Sequence, residues 1–252
     1  MLIDTHTHLN DEKFRADLPE VVDRAVQAGI SAMIVVGYDL TSSRRAVEIA
    51  EKYDCCWAAA GVHPLEAERH HPFGREWDDL LRHKKTAAVG EIGLDYFYRQ
   101  DTGEKQKALF REQMEQALRF GLPVIIHDRD AHRDVWDILS PYAGKVAGVM
   151  HCFSGSREMA EQYVKMGFRI GIDGPVTFKN ARKLPDVLGK ISLGSLLLET
   201  DCPYMAPHPY RGKRNEPSFL PLIAARAAAI KGISTEEMTA ATTRNARELF
   251  HI

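Results

Sequence analysis

The stretch GEKQKALFREQMEQALRFGLPVIIHDRD, residues 103–130, decides the fold. It reads in two halves. In the first, Phe110, Met114, Ala117 and Leu118 recur at i, i+4, i+7 and i+8, the spacing of one helical face. Gly121 and Pro123 stop that helix. In the second, the apolar run PVII ends abruptly in His127. That run is too short for a helix and suits a buried strand. An amphipathic helix leading through a brief break into a buried strand is half of a βαβ unit, and such units build parallel sheets.

The rhythm repeats in both directions. Strand-like runs are LID (2–4), SAMIVVG (31–37), CCWAAAGV (55–62), TAAVGEI (86–92), PVIIH (123–127), KVAGVMHCF (145–153), FRIGID (168–173) and SLLLET (195–200). Helical stretches lie between and after them, among them REMAEQYVKMG, ended by Gly167, and PSFLPLIAARAAAIKG, closed by Gly232. Ser234 and Glu237 then stand at capping-box spacing, with Ile233 and Met238 placed to staple the next helix. Eight strand–helix units in 252 residues give a (β/α)₈ TIM barrel, read as a single domain over 1–252. A doubly wound open sheet is the other arrangement that this alternation permits.

Composition narrows the function. The chain is 44% hydrophobic and 27% charged, an ordinary globular balance. A net charge of -2 provides no global basic field, so any contact with nucleic acid must be local. Cys55, Cys56, Cys152 and Cys202 form no CxxC pair and suit reduced thiols. No signal peptide is visible, and no apolar run approaches the roughly 20 residues of a membrane helix. The expectation is a cytoplasmic protein without a membrane partner. Its oligomeric state is open, and a monomer is compatible with the sequence.

A barrel puts its chemistry where strands end. Those ends carry His6 and His8, then His63, Glu91, His127, His151 and Asp201. Five of the chain's 11 histidines fall there, although the ends are a small share of the chain. Each residue has an ordinary reading when taken singly. His6 and His8 could be a polar pair at a sheet edge, with rings roughly 6–7 Å apart along a strand. His127 and His151 could be hydrogen-bonded core histidines. Glu91 and Asp201 could cap loops, although a carboxylate ending a buried strand needs a partner. One shared cause is simpler than seven separate ones. Imidazoles and carboxylates converging on one mouth suit divalent metal. A single catalytic zinc takes three protein ligands and a water. The larger set here suits two ions about 3.5–4 Å apart, sharing a carboxylate and activating a water. Zinc, manganese, iron and magnesium remain open as the metal.

Other stretches add less. Gly90 and Gly93 around Glu91 in GEIGLD need only mean tight packing beside the acid, and Ser156 in HCFSGS suits a helix cap. Asp4 shares the parity of His6 and His8 and could orient one of them. The basic run YRGKRNEP (210–217) follows Asp201, so Arg211 and Arg214 are candidates for holding phosphates, as is Arg129 two residues past His127. Tyr96, Phe97, Tyr98, Phe153, Tyr204 and Tyr210 could stack bases or simply pack.

Over its whole length the chain resembles the TatD family of metal-dependent deoxyribonucleases, among the amidohydrolase-like barrels. The resemblance rests on IDTHTHLN, AAAGVHP, VGEIGLDY, LPVIIHDRD, MHCFSGS, GPVTFKN, LLLETDCPYMAPHPYRGKRNEP and TTRNARELF. It implies a barrel hydrolase with two, or three, divalent ions. By motif position His6, His8, Glu91 and Asp201 match the ligands of one ion. Glu91, His127 and His151 match those of a second, with Glu91 bridging. Asp201 matches the proton-accepting carboxylate, and His63 a residue near the substrate phosphate or an extra metal. The resemblance further implies 3′-to-5′ exonuclease action on DNA, single strands preferred, and a part in DNA repair. Glu91 stands where many amidohydrolase relatives carry a carboxylated lysine, and Asp128 where other members can have serine or asparagine.

The leading reading is therefore phosphodiester hydrolysis, with Asp201 as base. A second keeps the metal site and changes the bond, to an ester or C–N bond in an aminoacyl-tRNA or small amide. A third, a nucleic-acid-binding barrel with a structural metal, lacks the closed cysteine-rich ligand set it needs.

Overall fold

The computed structural model describes residues 1–70 and 72–252. Eight strands form: β1 Leu2–Thr7, β2 Ile30–Val36, β3 Cys56–Ala60, β4 Thr86–Asp95, β5 Val124–Arg129, β6 Gly148–Met150, β7 Phe168–Ile172 and β8 Leu196–Leu198. They pair in sequence order, and every pair is parallel. The seam between β8 and β1 closes through a parallel bridge from Thr7 to Cys202. Across it His8 N donates to Cys202 O at 2.7 Å, and Asp201 N to His6 O at 2.9 Å. The result is a TIM barrel.

Alternating side chains divide the core in two. Leu2, Met33, Val35, Val89, Ile126 and Ile170 pack outward against the helices. Ile3, Ile34, Ala59, Ile125, Val149 and Leu197 fill the barrel, and Ala246, Leu249 and Phe250 of the helix Thr235–Phe250 join them from below. The lower end is thus sealed by the chain's last helix, and the polar strand ends are left at the other mouth.

The helix Gly103–Phe120 ends where Gly121 turns left-handed at φ 67°, a conformation glycine adopts without strain. Phe110, Met114 and Ala117 are buried, but Leu118 is 43% exposed. At about 100° per residue, position i+8 lies a quarter turn off the face that i and i+7 share. Two buried glutamines complete that face. Gln113 bonds Val62 N and O at 2.7 and 2.9 Å. Gln106 bonds Asp95 N and O at 2.8 and 3.1 Å. This helix therefore pins the loop that carries His63 and the end of β4. The later helix signals act locally as expected: Ser156 accepts from Met159 N, Ser234 from Glu237 N, and Gly232 turns left-handed at φ 69°. No helix among the described residues is long and apolar enough to cross a membrane.

Two strands outrun their apolar patterns. β1 continues to Thr7, and β4 continues past Ile92 to Asp95. In the latter, Gly93, Leu94 and Asp95 pair with His127, Asp128 and Arg129. At Gly93, φ is +141° and an added Cβ would stand 2.0 Å from His127 O. Only glycine lets these two strands approach so closely beside Glu91.

Candidate metal centre

The polar ends of β1, β4, β5, β6 and β8 meet in one buried cluster. His6 is 0% exposed, Glu91 4% and His151 6%. His6 Nε2 lies 3.2 Å from His8 Nε2, 3.5 Å from Glu91 Oε2 and 3.8 Å from Asp201 Oδ1. His8 Nε2 lies 3.7 Å from Glu91 Oε2 and 3.5 Å from Asp201 Oδ1. Ligand atoms about 2.1 Å from a tetrahedral ion stand about 3.4 Å apart. The spacing of these four side chains fits a shared divalent ion.

Ring orientation supports the same fit. His8 Nδ1–H donates to Val36 O at 3.0 Å, which turns the Nε2 lone pair towards the cluster. His151 Nδ1–H donates to Glu199 Oε1 at 3.0 Å, and its Nε2 lies 3.8 Å from Glu91 Oε1 and 3.7 Å from Asp201 Oδ1. The His6 and His151 rings stack with centroids 3.5 Å apart. His127 is held differently, its Nδ1 2.8 Å from Glu91 Oε1 and its Nε2 3.0 Å from Asp95 Oδ2. His63 sits above this pair, its Nε2 4.0 Å from Glu91 Oε1, while its Nδ1 accepts from Leu65 N at 3.2 Å.

The electrostatics show a site short of positive charge. Glu91, Asp95, Glu199 and Asp201 bring four carboxyl groups into a small volume. Burial opposes ionisation of Glu91, yet His6, His127 and His151 hold it well below the usual carboxylate range. Asp201 is lowered too, against burial, by His8, His151 and His6. The imidazoles answer in kind. Burial alone would lower His151, but Glu199, Glu91 and Asp201 lift it to about 10. His127, against the same burial, is lifted to about 9 by Asp95 and Glu91. Burial and the neighbouring His127 push His63 down to about 3, so it is neutral. Protons on His127 and His151 balance the acids here, a role divalent ions can take over.

Three residues at the centre were not singled out in the sequence. Asp95 holds His127 from the side opposite Glu91. Glu199 accepts from His151 Nδ1 and from Cys152 N, the latter at 2.7 Å. A Cβ on Gly171 would stand 2.3 Å from Glu199 Oε1, so that glycine makes the acid's berth. Asp173 accepts from Cys152 Sγ at 2.9 Å behind it. Glu199 carried a signal, since a carboxylate in the apolar run SLLLET must find a partner. Asp4 acts otherwise than expected. Its carboxylate takes Thr200 N at 2.9 Å and Thr200 Oγ1 at 2.7 Å, so it anchors the end of β8 and touches no imidazole.

The candidate phosphate-binding residues separate. His63 joins the cluster. Arg129 is exposed, its guanidinium 4.5 Å from the Phe97 ring centroid. Arg211 lies 4.1 Å from the Phe178 ring centroid. Arg214 is committed to Asp17 through bonds of 2.8 and 2.6 Å, with a third to Lys13 O, and the structure does not bring it to the cluster.

Known proteins resemble this chain over its full length. The family model described as TatD related DNase matches residues 3–251. An uncharacterized metal-dependent hydrolase, YabD of Bacillus subtilis, is 45% identical, with 100% of each chain covered. The 3′-5′ ssDNA/RNA exonuclease TatD of Edwardsiella piscicida is 38% identical, again with 100% of each covered. The solved structure of YJJV, a TatD homologue from Escherichia coli, superposes with a TM-score of 0.91 at 35% identity, covering 100% of this chain and 98% of that one. Barrel, histidine–carboxylate centre and full-length similarity agree: the chain belongs to the TatD family of metal-dependent hydrolases.

Proposed function

We propose that this hydrolase cleaves phosphodiester bonds at the 3′ end of single-stranded DNA, with His6, His8, Glu91 and Asp201 holding one divalent ion and Glu91, His127 and His151 a second. The observation that carries the reading is the cluster at ligand spacing, in which four imidazoles and two carboxylates from five strand ends share one buried volume. The exonuclease relative supports the choice of substrate and adds RNA as a second polymer to test. To ligate, His127 would exchange its hydrogen bond to Glu91 for the ion.

Ions bound there supply positive charge to the phosphoryl oxygens and make water a nucleophile at neutral pH. The chain's own residues do the rest. Asp201 Oδ accepts the proton of the attacking water. Its φ of 57° holds the carboxylate in a left-handed turn that aspartate tolerates, fixed by Asp201 N on His6 O. Glu199 and Asp95 keep His151 and His127 in place. On this reading Arg129 and Arg211 offset charge along the strand's phosphates, and neutral His63, 4.0 Å from Glu91, donates a hydrogen bond to the scissile phosphate.

A nuclease assay with both ends of a single-stranded DNA labelled, run over Zn²⁺, Mn²⁺ and Mg²⁺, tests the proposal. Mononucleotides should leave the 3′ end first. No release with any metal, alongside turnover of an ester or amide panel, would transfer the site to C–N or carboxylic ester hydrolysis.

A further inference from the structure

Most aromatics near the mouth are spoken for. Tyr96 donates its hydroxyl to Asp134, Phe153 is buried, and Tyr210 stacks on Phe219 with centroids 4.2 Å apart. Tyr204 is 45% exposed, but its hydroxyl donates to Asp11 and Lys13 Nζ lies 4.3 Å from its ring centroid. Phe97 and Tyr98 are different. They are 56% and 60% exposed and meet edge to face with centroids 4.8 Å apart, and among the described residues no side chain hydrogen-bonds the Tyr98 hydroxyl. The Arg129 guanidinium lies over both rings, 4.5 Å from one centroid and 5.3 Å from the other.

This pair of rings is bolted to the centre. Asp95 Oδ1 accepts from Tyr98 N at 2.8 Å and caps the short helix Tyr96–Arg99, while Asp95 Oδ2 faces His127 Nε2 at 3.0 Å. Arg129 follows His127 by two residues, at most about 7 Å of extended chain. Two adjacent exposed rings leave apolar surface in water that the core does not use. Beside a centre that handles anions they combine a π-face with a fixed cation, the pairing that holds an unpaired base and its backbone in single-strand binding proteins.

Building on the nuclease reading above, we propose that Phe97, Tyr98 and Arg129 form a stacking platform for an unpaired nucleobase of the substrate strand. The occupant is an unpaired base, free to leave its own strand's stack and lie on the rings. A paired base must first be released from its partner strand, so the platform favours single strands in a protein with no overall basic field. Arg129 serves both partners, its guanidinium lying over the two rings while it meets the strand's phosphates.

The test uses the metal-loaded enzyme and two single-stranded oligonucleotides, one with a normal 3′-terminal base and one with a tetrahydrofuran abasic residue in its place. In the wild type kcat/KM should favour the base by about 5- to 150-fold, the range for one base on one aromatic side chain. In Phe97→Ala/Tyr98→Ala that ratio should fall towards 1. Both side chains are exposed, so the fold does not depend on them, and circular dichroism checks this. In parallel, a 3′-terminal 2-aminopurine on a phosphorothioate strand reports stacking without cleavage. Its fluorescence should be quenched by the wild type and released in the double variant. Equal quenching by both proteins, or a base-to-abasic ratio unchanged by the substitutions, overturns the platform. Quenching lost in the variant, in a wild-type protein that cleaves neither strand, supports the platform and removes the nuclease reading alone.

Discussion

Glu199 offers the sharpest test of how the centre is held. Its Oε1 accepts two bonds, a buried one from His151 Nδ1 at 3.0 Å and a part-buried one from Cys152 N at 2.7 Å. Truncation in Glu199→Ala orphans both donors. Each orphan costs about 1–3 kcal/mol, so the loss is about 2–6 kcal/mol. Against a total stability of about 5–15 kcal/mol, that is severe. Glu199→Gln separates packing from charge. The amide oxygen can still accept both bonds, so the fold should persist, but the anion that orients His151 and raises its basicity is gone. Loss of such an outer partner lowers metal affinity about 10–100-fold. Thermal unfolding of both variants and a zinc titration against a competing chelator measure the two effects. If Glu199→Ala unfolds at the wild-type temperature and Glu199→Gln binds zinc as tightly as the wild type, then Glu199 neither supports the fold nor positions His151.

Four further predictions concern charge. Asp201→Asn should lower kcat by about 10²–10⁴-fold, the usual share of a general base; elemental analysis of the same sample tells lost proton transfer from lost metal. In metal-stripped protein His151 and His127 are raised to about 10 and about 9 from a usual value near 6.5, so their contribution is whole below that value and fades as pH climbs through the raised ones. Thermal melts of the stripped protein should therefore drop on the alkaline side of neutrality, and a flat profile there would contradict the charge balance described. Arg211→Ala should raise KM for a single strand and flatten its salt dependence. Arg214→Ala should leave KM alone and cost about 1 kcal/mol, since its ion pair with Asp17 is half-buried and reaches away from the cluster.

The apolar runs were legible because each is a buried strand bounded by turns. Their order made the barrel readable before any contact was known. Polar strand extensions were not: Gly93–Asp95 looks like a loop, and its pairing with His127–Arg129 depends on a close approach that a one-dimensional pattern cannot express. The same limit hid Asp95 and Glu199. Both act on a histidine that lies far away in sequence, and a local reading sees only an acid among apolar neighbours. Arg214 shows the converse, a basic residue beside the site in sequence whose carboxylate partner, Asp17, comes from the other end of the chain. Leu118 lies a quarter turn off the buried face, a displacement too small for apolar spacing alone to resolve. What the histidines share could be read because many strand ends told the same story.

His6 and His8 stand at the end of β1, and Asp201 comes just after β8. Asp201 N meets His6 O only when the sheet has closed on itself. A chain interrupted before β8 carries all five of the strand-end imidazoles but neither Glu199 nor Asp201. The ligand-spaced cluster is therefore complete only in the closed barrel, so its two ends are coupled: loosening the seam opens the centre.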